Sequence, residues 1–197
     1  MLKYSQIALI LLLLYSCKSQ EVRKNYNTKA IEFNNQAVEL MMAGNYDSAL
    51  IVFDKAIKLD KSYYLPHSGK SNIYVLRKDF DNALIESELV IKKQPDLAEG
   101  WVYSGMLYDR KGESKTANKY YQKSIEIFTK RISNPEKQHM ISANRLNRAY
   151  SYILLGETEK GKKELQALKE EEPENFMIDQ LLNTSKEDYI NQLFGKD

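Results

Sequence analysis

Gly44-Asn45-Tyr46-Asp47-Ser48-Ala49-Leu50-Ile51-Val52-Phe53-Asp54-Lys55-Ala56 sets the period of the whole chain. An alanine, an aromatic four residues on and a second alanine three beyond it recur in degraded form downstream. Ala49, Ala83 and Ala117 stand 34 residues apart, twice over. A fixed period of that length marks a stacked repeat, in which each unit buries its apolar face against its neighbours. Setting Ala49 at position 20 of a unit gives repeats at 30–63, 64–97 and 98–131. A fourth falls in place at 142–175 if ten extra residues, 132–141, intervene.

Composition agrees with a folded body. The 197 residues are 43% hydrophobic and 28% charged, with four prolines and eight glycines, so long helices are permitted and many tight turns are not. The formal net charge is +2 with signs interspersed, which gives no electrostatic case for nucleic acid. One cysteine, Cys17, allows no internal disulfide.

That cysteine follows an unusual start. Lys3 is the one charge before the apolar run Ile7–Leu14, and Tyr15-Ser16-Cys17 follows. The run is far short of the roughly 18 to 20 residues needed to span a bilayer, but it suits the centre of a secretory signal. Its end resembles the lipobox of bacterial lipoproteins, with Leu14 at −3, Ser16 at −1 and Cys17 lipidated; Tyr15 departs from the usual small residue. The resemblance implies a signal peptide over 1–16, and a lipidated Cys17 with a polar tether over 17–27. Thioether-linked diacylglycerol plus acylation of the freed amine would supply the two-signal anchoring that one chain cannot give. Removal of 1–16 would leave 28 basic against 27 acidic side chains. Lys18 is not the aspartate that retains such proteins at the inner membrane in enterobacteria. The address expected is therefore the bacterial envelope, with the outer membrane favoured.

The repeats resemble the tetratricopeptide repeat, a pair of antiparallel helices with the pattern Trp-x2-Leu-Gly-x2-Tyr, then Ala-x3-Phe, Ala and Pro. The third unit carries it best in Trp101, Gly105, Tyr108, Gly112, Ala117 and Tyr121. Position 8 (Ala37, Ser71, Gly105, Ala149) and position 20 (Ala49, Ala83, Ala117, Gly161) are small, as a close helix crossing demands. Position 11 (Leu40, Tyr74, Tyr108, Tyr152) and position 24 (Phe53, Ser87, Tyr121, Leu165) mostly fill the space beside it. Gly44, Gly112 and Gly156 end the first helices, and Lys78 holds that place in the second repeat. Asn134-Pro135-Glu136 predicts that a lengthened first helix of the fourth unit runs from about Pro135 to Leu155. Beyond Pro173, two one-sided apolar stretches separated by the capping box at Thr184–Glu187 predict a capping helix over 176–194, broken in two. The fold implied is all-α: a right-handed α-α superhelix (solenoid) of about four hairpins plus the cap, in a domain over 28–194.

Nothing in the sequence nominates a catalytic residue, cofactor or metal. His67 and His139 lack partners at metal-ligand spacing, and phosphate loops and nucleophile elbows do not occur. His67 and Trp101 fall at a core position, and the carboxylates of Glu86-Ser87-Glu88 read as a solvated helix face. The resemblance instead implies a concave groove lined by the first helices. Its candidate partner-binding residues are Asn34, Asn35, Val38, Met41, Asn72, Tyr103, Met106, Arg110, Asn147 and Tyr150. Asparagines can pair with an extended backbone, and methionine and tyrosine give adaptable apolar contact. Val38 and Glu99 stand where the family's carboxylate clamp has polar or basic groups, which argues against a chaperone-tail adaptor. The function expected is a non-catalytic, lipid-anchored scaffold that binds a protein or peptide partner. The alternative is a regulatory or sensory module that binds a receptor or ligand.

Overall fold

The first helix begins where an asparagine can satisfy it: Asn27 Oδ1 accepts from the amides of Lys29 and Ala30, 2.9 and 3.2 Å away. The computed structural model describes residues 26–195. Among them are ten α-helices, one 3-10 segment and no strand. They fall into two compact units that divide between Asp96 and Leu97. The signal peptide, Cys17 and most of the expected tether lie outside the described residues. Tyr26 and Asn27, assigned to that tether, belong to the fold instead. Tyr26 stacks on Tyr63 with ring centroids 4.6 Å apart, and the Asn27 amide donates to Asp60 Oδ2 at 3.0 Å.

In the first unit α1 (Thr28–Met42) packs on α2 (Tyr46–Leu59), and α3 (Leu65–Leu76) on α4 (Phe80–Lys93). The second unit has α5 (Ala98–Arg110), α6 (Ser114–Ile132), the 3-10 segment Pro135–Met140, α7 (Ile141–Leu155) and α8 (Thr158–Glu171). Two short helices, α9 (Phe176–Leu182) and α10 (Lys186–Phe194), end it.

All four hairpins turn the same way. Gly44, Gly112 and Gly156 have φ of 79°, 78° and 95°, and Lys78 adopts 58° in the same left-handed region. Each turn closes with a matching pair of backbone bonds: Gly44 N to Met41 O and Asn45 N to Leu40 O, and equivalently at Lys78, Gly112 and Gly156, all 2.9–3.0 Å. Beyond the turn the helices cross at the small residues. Ala37, Ala49, Ser71, Ala83, Ala117 and Ala149 are fully buried, and Ser71 Oγ donates across the crossing to Ala83 O at 2.7 Å. A Cβ on Gly161 would sit 2.5 Å from Ala149 O, and one on Gly105 would sit 2.6 Å from the Tyr121 ring, so these two crossings admit no side chain.

The ten added residues are distributed differently from the expectation. They lengthen the helix before them, since α6 runs 19 residues where α2 and α4 run 14. The remainder forms the 3-10 segment, which starts at Pro135 with Asn134 Oδ1 accepting from Glu136 N at 3.0 Å. The first helix of the fourth hairpin thus begins at Ile141, not Pro135.

At the C-terminal end, Ser185 rather than Thr184 is the cap. Its hydroxyl accepts from Asp188 N at 3.1 Å and donates to Asp188 Oδ2 at 2.7 Å, while Thr184 Oγ1 turns back to Gln180 O. The break at 183–185 lets α9 lie on α8 while α10 lies on α5.

Candidate partner-binding surface

In the first unit, α1 presents Ile31, Asn35, Val38 and Met41 at spacings of four, three and three, which places them along one side of the helix. Ile31 and Asn35 are exposed, Val38 and Met41 half-buried. Asn34, expected beside them, is buried, and its Oδ1 has no hydrogen-bond partner; Asn72 is buried as well. Neither asparagine offers its amide at the surface. The accessible part of this face is therefore the α1 stripe.

The same unit holds a buried ionic cluster where a solvated helix face was expected. Glu86, on α4, is 7% exposed. Its Oε2 lies 2.6 Å from His67 Nδ1 and its Oε1 lies 2.7 Å from Lys70 Nζ, both on α3. Lys70 also reaches Asp54 Oδ1 on α2 at 2.9 Å. Burial alone would raise the Glu86 carboxyl, but the bonds from His67 and Lys70 outweigh it and hold it below the usual range. Burial likewise opposes the Lys70 ammonium, and its two carboxylate partners overcome that and push it up. An i to i+2 pair of glutamates looks solvated in one dimension. What singles out Glu86 is that α3 brings a histidine and a lysine, three residues apart, opposite it.

In the second unit two of the expected binding residues, Tyr103 and Tyr150, pack against the chain's own last helix. Met106 is fully buried and Tyr150 is 5% exposed. The Tyr150 ring lies 4.4 Å from that of Tyr189, and its hydroxyl is 3.4 Å from Met106 Sδ. Burial and the neighbouring tyrosines push the Tyr150 phenol well above its ordinary value, and burial pushes Tyr189 up to about 12. Tyr103 is half-buried with its ring 6.2 Å from Phe194. Arg110 and Asn147 are half-buried. Lys186, at the start of α10, sets its Nζ 2.7 Å from Asp109 Oδ2 and 5.2 Å from the centre of the Tyr121 ring. Asp109 is only 5% exposed in its side chain and also accepts from Tyr121 Oη at 2.7 Å. Met106 and Tyr150 are thus buried and not open groove positions, and α10 rests against Tyr150.

Trp101, expected in the core, is half-buried and packs on Tyr120 with centroids 5.1 Å apart. His139 is exposed in the 3-10 segment. Among the described residues no helix is long and apolar enough to cross a membrane, and no group of three or more His, Cys, Asp or Glu is placed to hold a metal ion.

Helices α1 to α8 define an all-helical protein built from repeated antiparallel hairpins. Residues 98–130 and 143–175, the hairpins α5–α6 and α7–α8, match tetratricopeptide repeat models. Solved structures agree in fold. A tetratricopeptide repeat protein from Parabacteroides merdae superposes with a TM-score of 0.55 at 14% identity, covering 97% of this chain and 68% of that one. MamA from Desulfovibrio magneticus RS-1, from its residue 41 onward, gives 0.50 at 16% identity, covering 87% and 89%.

Among curated proteins, the STIP1 homolog of Dictyostelium discoideum is 28% identical over 99 residues, 50% of this chain and 18% of that protein. The heat shock protein sti1 homolog of Schizosaccharomyces pombe is 29% identical over 97 residues, 46% and 16%. The chain spans less than a fifth of the length of these two relatives.

Proposed function

We propose that this protein is a lipid-anchored, non-catalytic scaffold of the bacterial envelope that holds a partner polypeptide on the first helices of its repeats. The observation that carries the binding reading is the α1 stripe, where Ile31, Asn35, Val38 and Met41 keep apolar and amide groups at the surface along one side of a rigid helix. An apolar strip interrupted by a donor–acceptor side chain suits a peptide that needs both contact area and backbone pairing. The match of 98–130 and 143–175 to tetratricopeptide repeat models supports the scaffold class. The anchor rests on the sequence: the apolar run Ile7–Leu14 followed by the chain's one cysteine, Cys17.

Cys17→Ser separates the two halves of this reading. The variant should leave the membrane fraction while still capturing the same partner in a pulldown. Retention in the membrane would overturn the anchor, and a purified chain that captures no polypeptide from envelope extracts would overturn the scaffold. The covered face of the second unit supports the alternative, a regulatory module that binds a receptor or ligand conditionally, because a covered face binds only when uncovered.

A further inference from the structure

The last helix is amphipathic and lays one side on the second unit. Lys186, Tyr189, Ile190, Leu193 and Phe194 fall at i, i+3, i+4, i+7 and i+8, one side of nine residues of helix. The four apolar members are each less than a tenth exposed, while Glu187 and Asp188 are exposed and Asn191 is half-buried. The first helices of two hairpins meet α10: Tyr103 on α5 packs on Phe194, Asp109 on α5 pairs with Lys186, and Tyr150 on α7 packs on Tyr189.

The termini of α10 are satisfied from within. Ser185 caps its start, and Gly195 N bonds back to Asn191 O. Residues 183–185 are its link to α9, which has its own apolar seat through Ile178 and Leu181 and a Lys169–Asp179 ion pair of 2.6 Å to α8. The helix can therefore leave its seat without unmaking its own caps or the packing of α9.

We infer that the α5–α7 face is a receptor for an amphipathic helix from a partner protein, with α10 as its resident occupant. The required ligand has a basic residue in its first turn, an aromatic–aliphatic pair three and four residues on, and a leucine–aromatic pair seven and eight on. The charge requirement comes from Asp109, a carboxylate nearly closed to water whose cation is supplied by α10 itself. A replacing helix that buried Asp109 again without a cation would leave that charge with the Tyr121 hydroxyl alone. An open pocket of about 410 Å³ beside the seat, lined by Asp109, Arg110, Ser114, Lys186, Ile190 and Asn191, leaves room for a bulkier first turn. The inference deepens the partner-holding reading and rests on it.

The test uses the full chain and a fluorescent synthetic peptide with the sequence of residues 183–195. A tethered helix competes at an effective concentration in the millimolar range, so the wild-type chain should bind the peptide on the order of 100-fold more weakly than the Tyr189→Ala/Phe194→Ala variant does. A peptide carrying Lys186→Glu should lose most of that binding. Equal affinity for both chains, or none for a variant that remains helical, overturns the inference. Hydrogen exchange on the wild-type chain decides the matter if the variant does not fold. Amides of 187–194 should exchange at least about tenfold faster than those of α7, as a separately opening unit; equal protection would overturn it. Light scattering should read a monomer, and a dimer with α10 exchanged would assign the face to a second copy and overturn the partner. A partner that crosslinks through Val38 while the peptide fails to bind would remove this inference and leave the scaffold reading standing.

Discussion

Lys78→Gly should stabilise the protein, although it deletes a charged side chain and touches no partner. Lys78 is exposed and sits at φ 58°, where the other three hairpins place glycine. Holding a residue with a Cβ in that region costs roughly 1–2 kcal/mol. Glycine gives back part of this, because its looser unfolded chain loses about 0.4–1 kcal/mol more on folding. The difference is a gain of about 0.5–1 kcal/mol, or ~1–4 °C in Tm for a chain of this size. The matching backbone bonds from Lys78 N to Val75 O and Asp79 N to Tyr74 O involve no side chain and should survive unchanged. Thermal melts followed by circular dichroism, with Gly112→Lys as the mirror substitution, measure both signs. An unchanged or lower Tm for Lys78→Gly, or an unchanged Tm for Gly112→Lys, would refute the equivalence of the four turns.

Two further outcomes follow from buried geometry. A Cβ on Gly69 would fall 2.1 Å from Cζ of the fully buried Phe53. Gly69→Ala should therefore lose about 1–3 kcal/mol to overpacking, less about 1 kcal/mol returned by helix propensity, and Phe53→Leu in the same chain should relieve it; a stabilised single variant in urea unfolding would contradict this. Because Glu86 is held below its ordinary pKa of 4.5, its contribution to stability is present above that value and lost as pH falls through the folded one. Glu86→Gln should cost on the order of 2–5 kcal/mol at neutral pH and flatten the acid side of the stability profile; parallel profiles for variant and wild type would show that the cluster does not act this way.

The hairpins were legible because their requirements are local. A crossing demands small residues at two fixed positions, and a left-handed turn demands glycine or strain, so Ala37, Ala49, Gly105 and Gly112 carry the register by themselves. The binding face was less legible because it depends on what comes to rest on it. Tyr150 occupies a first-helix position of the right type, yet nothing in its neighbourhood in sequence signals that Tyr189, nearly forty residues on, will cover it. The apolar stripe of α10 was visible as a stripe; its seat was not, because the break at 183–185 sets the direction in which α10 departs. Glu86 was misplaced for a related reason. Its burial depends on His67 and Lys70, which approach only once α3 and α4 have paired. The ten added residues could be counted but not apportioned, because α6 simply continues for another turn before Pro135 starts the 3-10 segment.

The central claim, that a partner polypeptide is held on the first helices, is tested most directly by a photo-crosslinking residue placed at Val38 and, separately, at Ile51 on α2, which is 59% exposed. Irradiation of intact cells should give a discrete adduct from Val38 and none from Ile51. Adducts from Ile51 with none from Val38 would place the partner on the second helices and contradict the account.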